Sequence, residues 1–122
     1  MNLDRRSFLL GSAAATALAG CSTSRIGPRE LRPGEKRRLA MIGCGVQMRT
    51  ALIPQFLNRD YAPGVEIVAV CDCDRVRAAA GAKQVNDAYR NDACAAVFDF
   101  RRILEDPTID AVCIGTPDHW HA

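Results

Sequence analysis

LAMIGCG at residues 39–45 and VAVCD at residues 68–72 decide how this chain is read. The first is an apolar run ending in a glycine–x–glycine turn, Gly43 and Gly45; the second is an apolar run ending in a carboxylate, Asp72. In a βαβ unit the carboxyl ends of neighbouring parallel strands share one sheet edge, so this spacing brings glycines and acid together. There a backbone without Cβ can approach a pyrophosphate, and the next helix N-terminus attracts its charge. The acid can accept hydrogen bonds from an adenosine ribose. Dinucleotide binding is the leading expectation.

The pattern continues outward from those two runs. Val46 to about Asn58 has the apolar spacing of a helix with one buried face, with Pro54 predicting a kink or irregular turn. VEIVAVC at 65–71 reads as a strand buried on both faces, and Arg75 to about Asn91 as an Ala-rich helix. Val76, Ala79, Ala80, Val85, Ala88 and Tyr89 are available to line its buried face. A short strand at Ala95–Phe98 precedes a helix capped by Asp99 and ended by Pro107, and Ile109–Gly115 is the fourth strand. Alternating strands and helices over residues 38–122 predict an α/β fold, a Rossmann-type doubly wound parallel sheet, incomplete, with about four strands.

Each candidate residue has a competing structural role. Gly43 makes the tight turn and Gly45 leaves room for the pyrophosphate; alternatively both serve a plain strand-to-helix turn. Val46 opens the helix there and joins the candidate set. The third glycine of the fingerprint falls at Met48, which predicts a wider gap between helix and sheet or a shifted helix start. Asp72 is read as the ribose acceptor and Asp74 as the helix cap, although either acid could cap. An acid at that point repels a 2′-phosphate and favours NAD over NADP; Arg75 and Arg77 complicate the preference. Thr116, Pro117 and His121 follow the fourth strand on the same edge and complete the cofactor-binding candidates. No residue is assigned a catalytic role, and no metal site is expected. Cys71-x-Cys73 has the wrong spacing for a zinc knuckle, and the cysteines read as small buried hydrophobes.

Composition sets the outer bounds. A chain of 122 residues with 48% hydrophobic and 25% charged residues holds one small globular domain. A net charge of +2 with 6% aromatics offers neither the basic stripe nor the stacking surface of a nucleic-acid binder. Residues 1–20 read separately, as an export signal: paired Arg5 and Arg6 precede the uncharged stretch Phe8–Ala19, too short to span a bilayer. The arginine pair resembles a twin-arginine signal, although Asp4 and Leu10 depart from its usual pattern. LAGC at 18–21 resembles a lipobox, making Cys21 the lipidation candidate and membrane anchoring through it an expectation. Residues 21–37 carry prolines, glycines and little apolar periodicity, and read as a linker. The expected address is periplasmic, or a membrane-anchored lipoprotein, in a bacterium.

Taken together, the Gly-x-Gly strand, VAVCDCD, DFRRILEDPTIDAVCIGTP and DHWHA resemble the N-terminal domain of the Gfo/Idh/MocA oxidoreductases. The resemblance covers Arg38–Ala122. It implies a Rossmann domain binding NAD or NADP, a following α/β domain that forms the sugar site, and hydride transfer on sugars, inositols or polyols. An exported branch, resembling NAD-dependent N-acetylgalactosaminidases, cleaves glycosides through transient oxidation. By position, Gly43, Gly45 and Asp72 match the dinucleotide motif, Thr116 and Pro117 the turn beside the nicotinamide, and His121 the histidine that follows. The family's Glu-Lys-Pro segment, whose lysine assists catalysis, does not occur in this sequence after Pro117. The expectation is therefore an apparently truncated, catalytically inert amino-terminal piece of an enzyme whose full-length form could be an oligomer. A complete non-catalytic nucleotide-binding module is the competing reading.

Overall fold

A computed structural model describes residues 28–121; the predicted export leader, Cys21, the start of the linker and Ala122 lie outside the described residues. β1 spans Arg37–Ile42. A helical stretch follows as a π-helix, Met48–Leu52, running into α1, Ile53–Leu57. Then come β2 (Val65–Cys71), α2 (Arg75–Tyr89), β3 (Ala95–Val97), α3 (Phe100–Leu104), β4 (Ala111–Ile114) and a 3-10 turn, Asp118–Trp120. All pairings are parallel, in the order β3-β2-β1-β4. The α/β, Rossmann-like fold expected from the sequence is present. The chain moves outward on one side of β1 and then crosses to the other, so the carboxyl ends of β1 and β4 form the switch point of the sheet.

The two faces of the sheet are covered differently. Leu39, Met41, Ile67 and Val70 pack with Met48, Ile53, Ala82 and Val85 beneath α1 and α2. On the other face Ala40, Ala69 and Cys71 pack with Ile103 of α3. The strand period of two should keep Ile67 and Ala69 on one face, yet they lie on opposite faces. The register steps from Leu39↔Ile67 to Ala40↔Ala69, so Val68 is an extra residue in a β-bulge. The Ile67 N–H there donates to the Tyr89 hydroxyl at 3.1 Å. β4 is an edge strand with Val112 and Ile114 exposed.

Three local expectations shift. The buried face of α2 is Ala78, Gly81, Ala82 and Val85, not the face through Val76 and Ala79; Val76 is 78% exposed. Small residues win because the helix lies close to β2: a Cβ on Gly81 would sit 2.7 Å from Val70 Cγ1. Val46 is likewise exposed rather than part of the buried stripe. The irregularity foreseen at Pro54 lies just before it, as the π-helix Met48–Leu52; the proline ring cannot accept a tight turn against the carbonyl of Thr50, and a widened helix relieves that clash.

The part of the linker that is described is pinned to the sheet. Arg29 makes a two-pronged contact with Asp110, Nε to Oδ1 at 3.0 Å and Nη2 to Oδ2 at 2.9 Å. Arg29 also pairs with Glu35. The Arg38 N–H donates to Asp110 Oδ2 at 2.8 Å, and the Asp110 side chain is 3% exposed. These bonds hold its carboxyl at about 2, the Arg29 guanidinium contributing most. They sit at the amino end of β1 and β4, opposite the edge that carries the glycines.

Candidate functional site

The glycine loop is built by the end of β1. The Gly43 N–H donates to the Cys71 carbonyl at 2.8 Å, carrying the sheet ladder one step past the strand. Gly43 has φ +88°, and a Cβ there would lie 2.7 Å from Thr116 Cγ2 and 2.9 Å from the Thr116 nitrogen. Both the turn and the neighbouring chain therefore require glycine. Gly45 is different: nothing lies within 4 Å of where its Cβ would be. That open backbone is a cradle which a side chain would fill. Residues 46–57 are helical from there, and Val46 is exposed at their start.

Met48 takes the place of the fingerprint's third glycine and is fully buried. Its Cε approaches within 2.8 Å of where a Cβ on Gly115 would stand. The small residue at this contact is thus on the strand side and the large one on the helix. The helix begins at Val46, where the sequence places it, and Met48 opens the π-helical stretch within it.

Asp72 sits at the carboxyl end of β2, half-buried, and faces the glycine loop. Its Oδ2 accepts the Cys44 N–H at 2.8 Å and its Oδ1 the Asp74 N–H at 2.8 Å. The Cys73 thiol lies 3.7 Å from Oδ1. A carboxylate has about four lone-pair positions, so two backbone bonds leave acceptor capacity for a diol. Asp74 caps α2 from Val76 N–H at 2.9 Å and Arg77 N–H at 3.3 Å, and pairs with Arg77 Nε at 3.5 Å. Helix capping therefore falls to Asp74. The loop cysteine Cys44 is buried; burial, with the Asp72 charge adding, pushes its thiol to about 12. Burial likewise holds Cys71 and Cys94 at about 11. These thiols stay protonated near neutral pH and act as small core side chains.

The third part of the site comes from the end of β4. The Gly115 N–H donates to the Ile42 carbonyl at 2.8 Å, which sets Thr116 beside Gly43. The Thr116 hydroxyl is buried and has no hydrogen-bond partner. Its carbonyl accepts from His121 Nε2 at 2.6 Å, so the ring proton is on Nε2. Pro117, extended at φ −55° and ψ 148°, leads into the 3-10 turn that returns His121 to this contact. Gly43, Gly45, Asp72 and Thr116 are brought to one edge; Pro117 and His121 are exposed on its rim. An open glycine cradle, spare carboxylate lone pairs and an orphaned hydroxyl together fit a dinucleotide. Sequence reasoning missed Phe98, whose ring lies 4.5 Å beneath the Arg75 guanidinium beside Asp72. An aromatic directly after a strand on this edge was the available signal.

The family model described as "Oxidoreductase family, NAD-binding Rossmann fold" matches residues 37–122. A glycosyl hydrolase family 109 protein of Stenotrophomonas maltophilia (strain K279a) is 34% identical over 127 residues, covering 98% of this chain and 26% of that protein. Glycosyl hydrolase family 109 protein 2 of Shewanella sp. (strain ANA-3) is 32% identical over 139 residues, covering 97% and 29%. The chain thus spans between a quarter and a third of the length of these relatives. Among solved structures, myo-inositol dehydrogenase from Lactobacillus casei in complex with NAD(H) and myo-inositol superposes with a TM-score of 0.53 at 27% identity, over 70% of this chain and 23% of that one. A 3-ketoreductase from Actinomadura kijaniata in complex with NADP gives 0.56 at 20% identity, over 68% and 23%, a likeness of fold.

Proposed function

The chain belongs to the Gfo/Idh/MocA oxidoreductases and carries their NAD-binding Rossmann fold, and from that premise we propose that it is the cofactor half of an enzyme moving hydride between NAD and a sugar or polyol. The observation behind this reading is the convergence of Gly43, Asp72 and Thr116 on one edge at the switch point of the sheet. Gly43 and Gly45 admit the pyrophosphate to bare backbone, with Val46 at the start of the helix above it. Asp72 accepts the adenosine ribose hydroxyls while it keeps the Cys44 amide, and so ties ribose binding to loop shape. The Thr116 hydroxyl gains the partner it lacks, and Pro117 and His121 hold the turn beside the nicotinamide half. The bound nicotinamide supplies the two-electron acceptor or donor.

NAD rather than NADP is the preferred cofactor in this reading, because a 2′-phosphate would meet the Asp72 charge at close range. Calorimetric titration of the protein tests it. NAD should bind more tightly than NADP, and D72N should weaken NAD about tenfold while weakening NADP less. Tighter NADP binding by the unaltered protein would overturn the role given to Asp72.

A second reading rests on the names of the relatives at 34% and 32% identity: the parent enzyme is an NAD-dependent glycosidase, in which oxidation is transient. NAD-dependent release of sugar from an aryl glycoside by the full-length protein, without net NADH, supports this reading; steady NADH formation from a free sugar supports the dehydrogenase. We further propose export, with residues 1–20 as leader and Cys21 as lipidated N-terminus. The mass of the mature N-terminal peptide decides it.

A further inference from the structure

We propose that Phe98 reinforces the cofactor preference given by Asp72, by holding the Arg75 guanidinium over its ring, making an adenine platform and withholding that charge from a 2′-phosphate. The inference rests on the dinucleotide reading of this edge and adds a residue to it.

The position follows from the sheet. Cys71 of β2 pairs with Val97 of β3, and the Asp72 N–H donates to the Val97 carbonyl at 3.2 Å. Phe98 is the next residue after that carbonyl, and Arg75 is the first residue of α2, three beyond Asp72. Ring, guanidinium and carboxylate therefore share the outer end of the edge, away from Thr116 on β4. With pyrophosphate at the glycines and ribose at Asp72, the adenine lies on this side.

The contacts commit both nearby arginines. Arg75 Cζ stands 4.5 Å from the Phe98 centroid, a cation–π distance. Among the described residues Arg75 forms no ion pair with Asp72 or Asp74, although both acids are near in sequence. Arg77 is taken by Asp74 at 3.5 Å. Phe98 is 42% exposed, so the Arg75–Phe98 pair is open to solvent and to a ligand. A planar guanidinium stacked on one ring offers its second face to another, and adenine is such a ring. An arginine in this place could equally rotate toward a 2′-phosphate; the stack is what disfavours that rotation.

The test is calorimetric titration of the full chain and its variants with NAD, NADP, AMP and adenosine 2′,5′-bisphosphate. F98A should weaken NAD and AMP about 2–5-fold and tighten the two 2′-phosphorylated ligands, moving the NADP-to-NAD affinity ratio about fivefold or more. F98Y, which keeps the aromatic face, should restore the original ratio. R75A should weaken NAD without any gain for NADP. Should F98A fail to fold by circular dichroism, F98L carries the same test, since it keeps apolar volume and removes the ring. An unchanged ratio in F98A or F98L, with NAD still bound by the parent, overturns the role of Phe98 and leaves the dinucleotide reading standing. A parent protein that binds neither dinucleotide nor AMP overturns both.

Discussion

Gly43 shows how one position can answer two constraints at once. Its φ of +88° is a conformation that L side chains rarely adopt, and the space its Cβ would need is filled by Thr116 from β4. The first constraint is local and the second is tertiary. Moving Thr116 away would relieve only the second, and would break the Gly115-to-Ile42 bond that places it. G43A should therefore destabilise the protein by about 2 kcal/mol or more, read from urea midpoints, and abolish NAD binding in the folded fraction. A variant with unchanged stability would show that the loop has an alternative path. G45A makes the contrast, since nothing stands near its Cβ position; it should fold normally and lose affinity alone.

At the scale of the elements, the helix after the glycine loop departs from the usual dinucleotide fingerprint and the sheet compensates. Met48 fills the volume between helix and sheet, and Gly115 at the end of β4 yields room to it. Restoring the fingerprint by M48G would remove a fully buried side chain and place glycine inside a helix. Loss of stability of about 3–5 kcal/mol is expected in chemical unfolding. A variant as stable as the parent would mean that the helix can settle onto the sheet, and that Met48 is not needed as filler. The same logic explains α2, where Gly81 buries its backbone against Val70 while Asp74 caps the first turn. Capping was legible from the order of residues after the strand. The buried face was not, because Ala and Gly carry little hydropathy contrast and the closeness of β2 decides which of them is inside.

Across the whole molecule, the candidate site and the clamp on the preceding segment lie at opposite ends of the sheet. The glycine loop, Asp72 and Thr116 occupy the carboxyl edge, and Arg29 fastens the preceding segment to Asp110 at the amino edge. The Asp110 carboxyl titrates below its ordinary value, at about 2, so its bonds contribute in full at neutral pH. That contribution is lost as pH falls from about 4 toward 2. The Asp106 carboxyl, lowered chiefly by the Thr108 hydroxyl, adds in the same direction. D110N should cost about 1–3 kcal/mol at pH 7 and flatten the dependence of unfolding midpoint on pH between 5 and 2. An acid profile identical to the parent would place the acid sensitivity elsewhere.

By itself the sequence determined the alternation of strands and helices, the glycine turn, the caps at Asp74 and Asp99, and the edge on which the candidate residues meet. These are consequences of periodicity and of local backbone geometry, which act over a few residues. Tertiary structure alone decided the bulge at Val68, the buried face of α2, the hold of Asp72 on the Cys44 amide, the Arg75–Phe98 stack and the Arg29–Asp110 clamp. Each of these depends on how closely two elements approach in space, and no pattern along the chain encodes that distance.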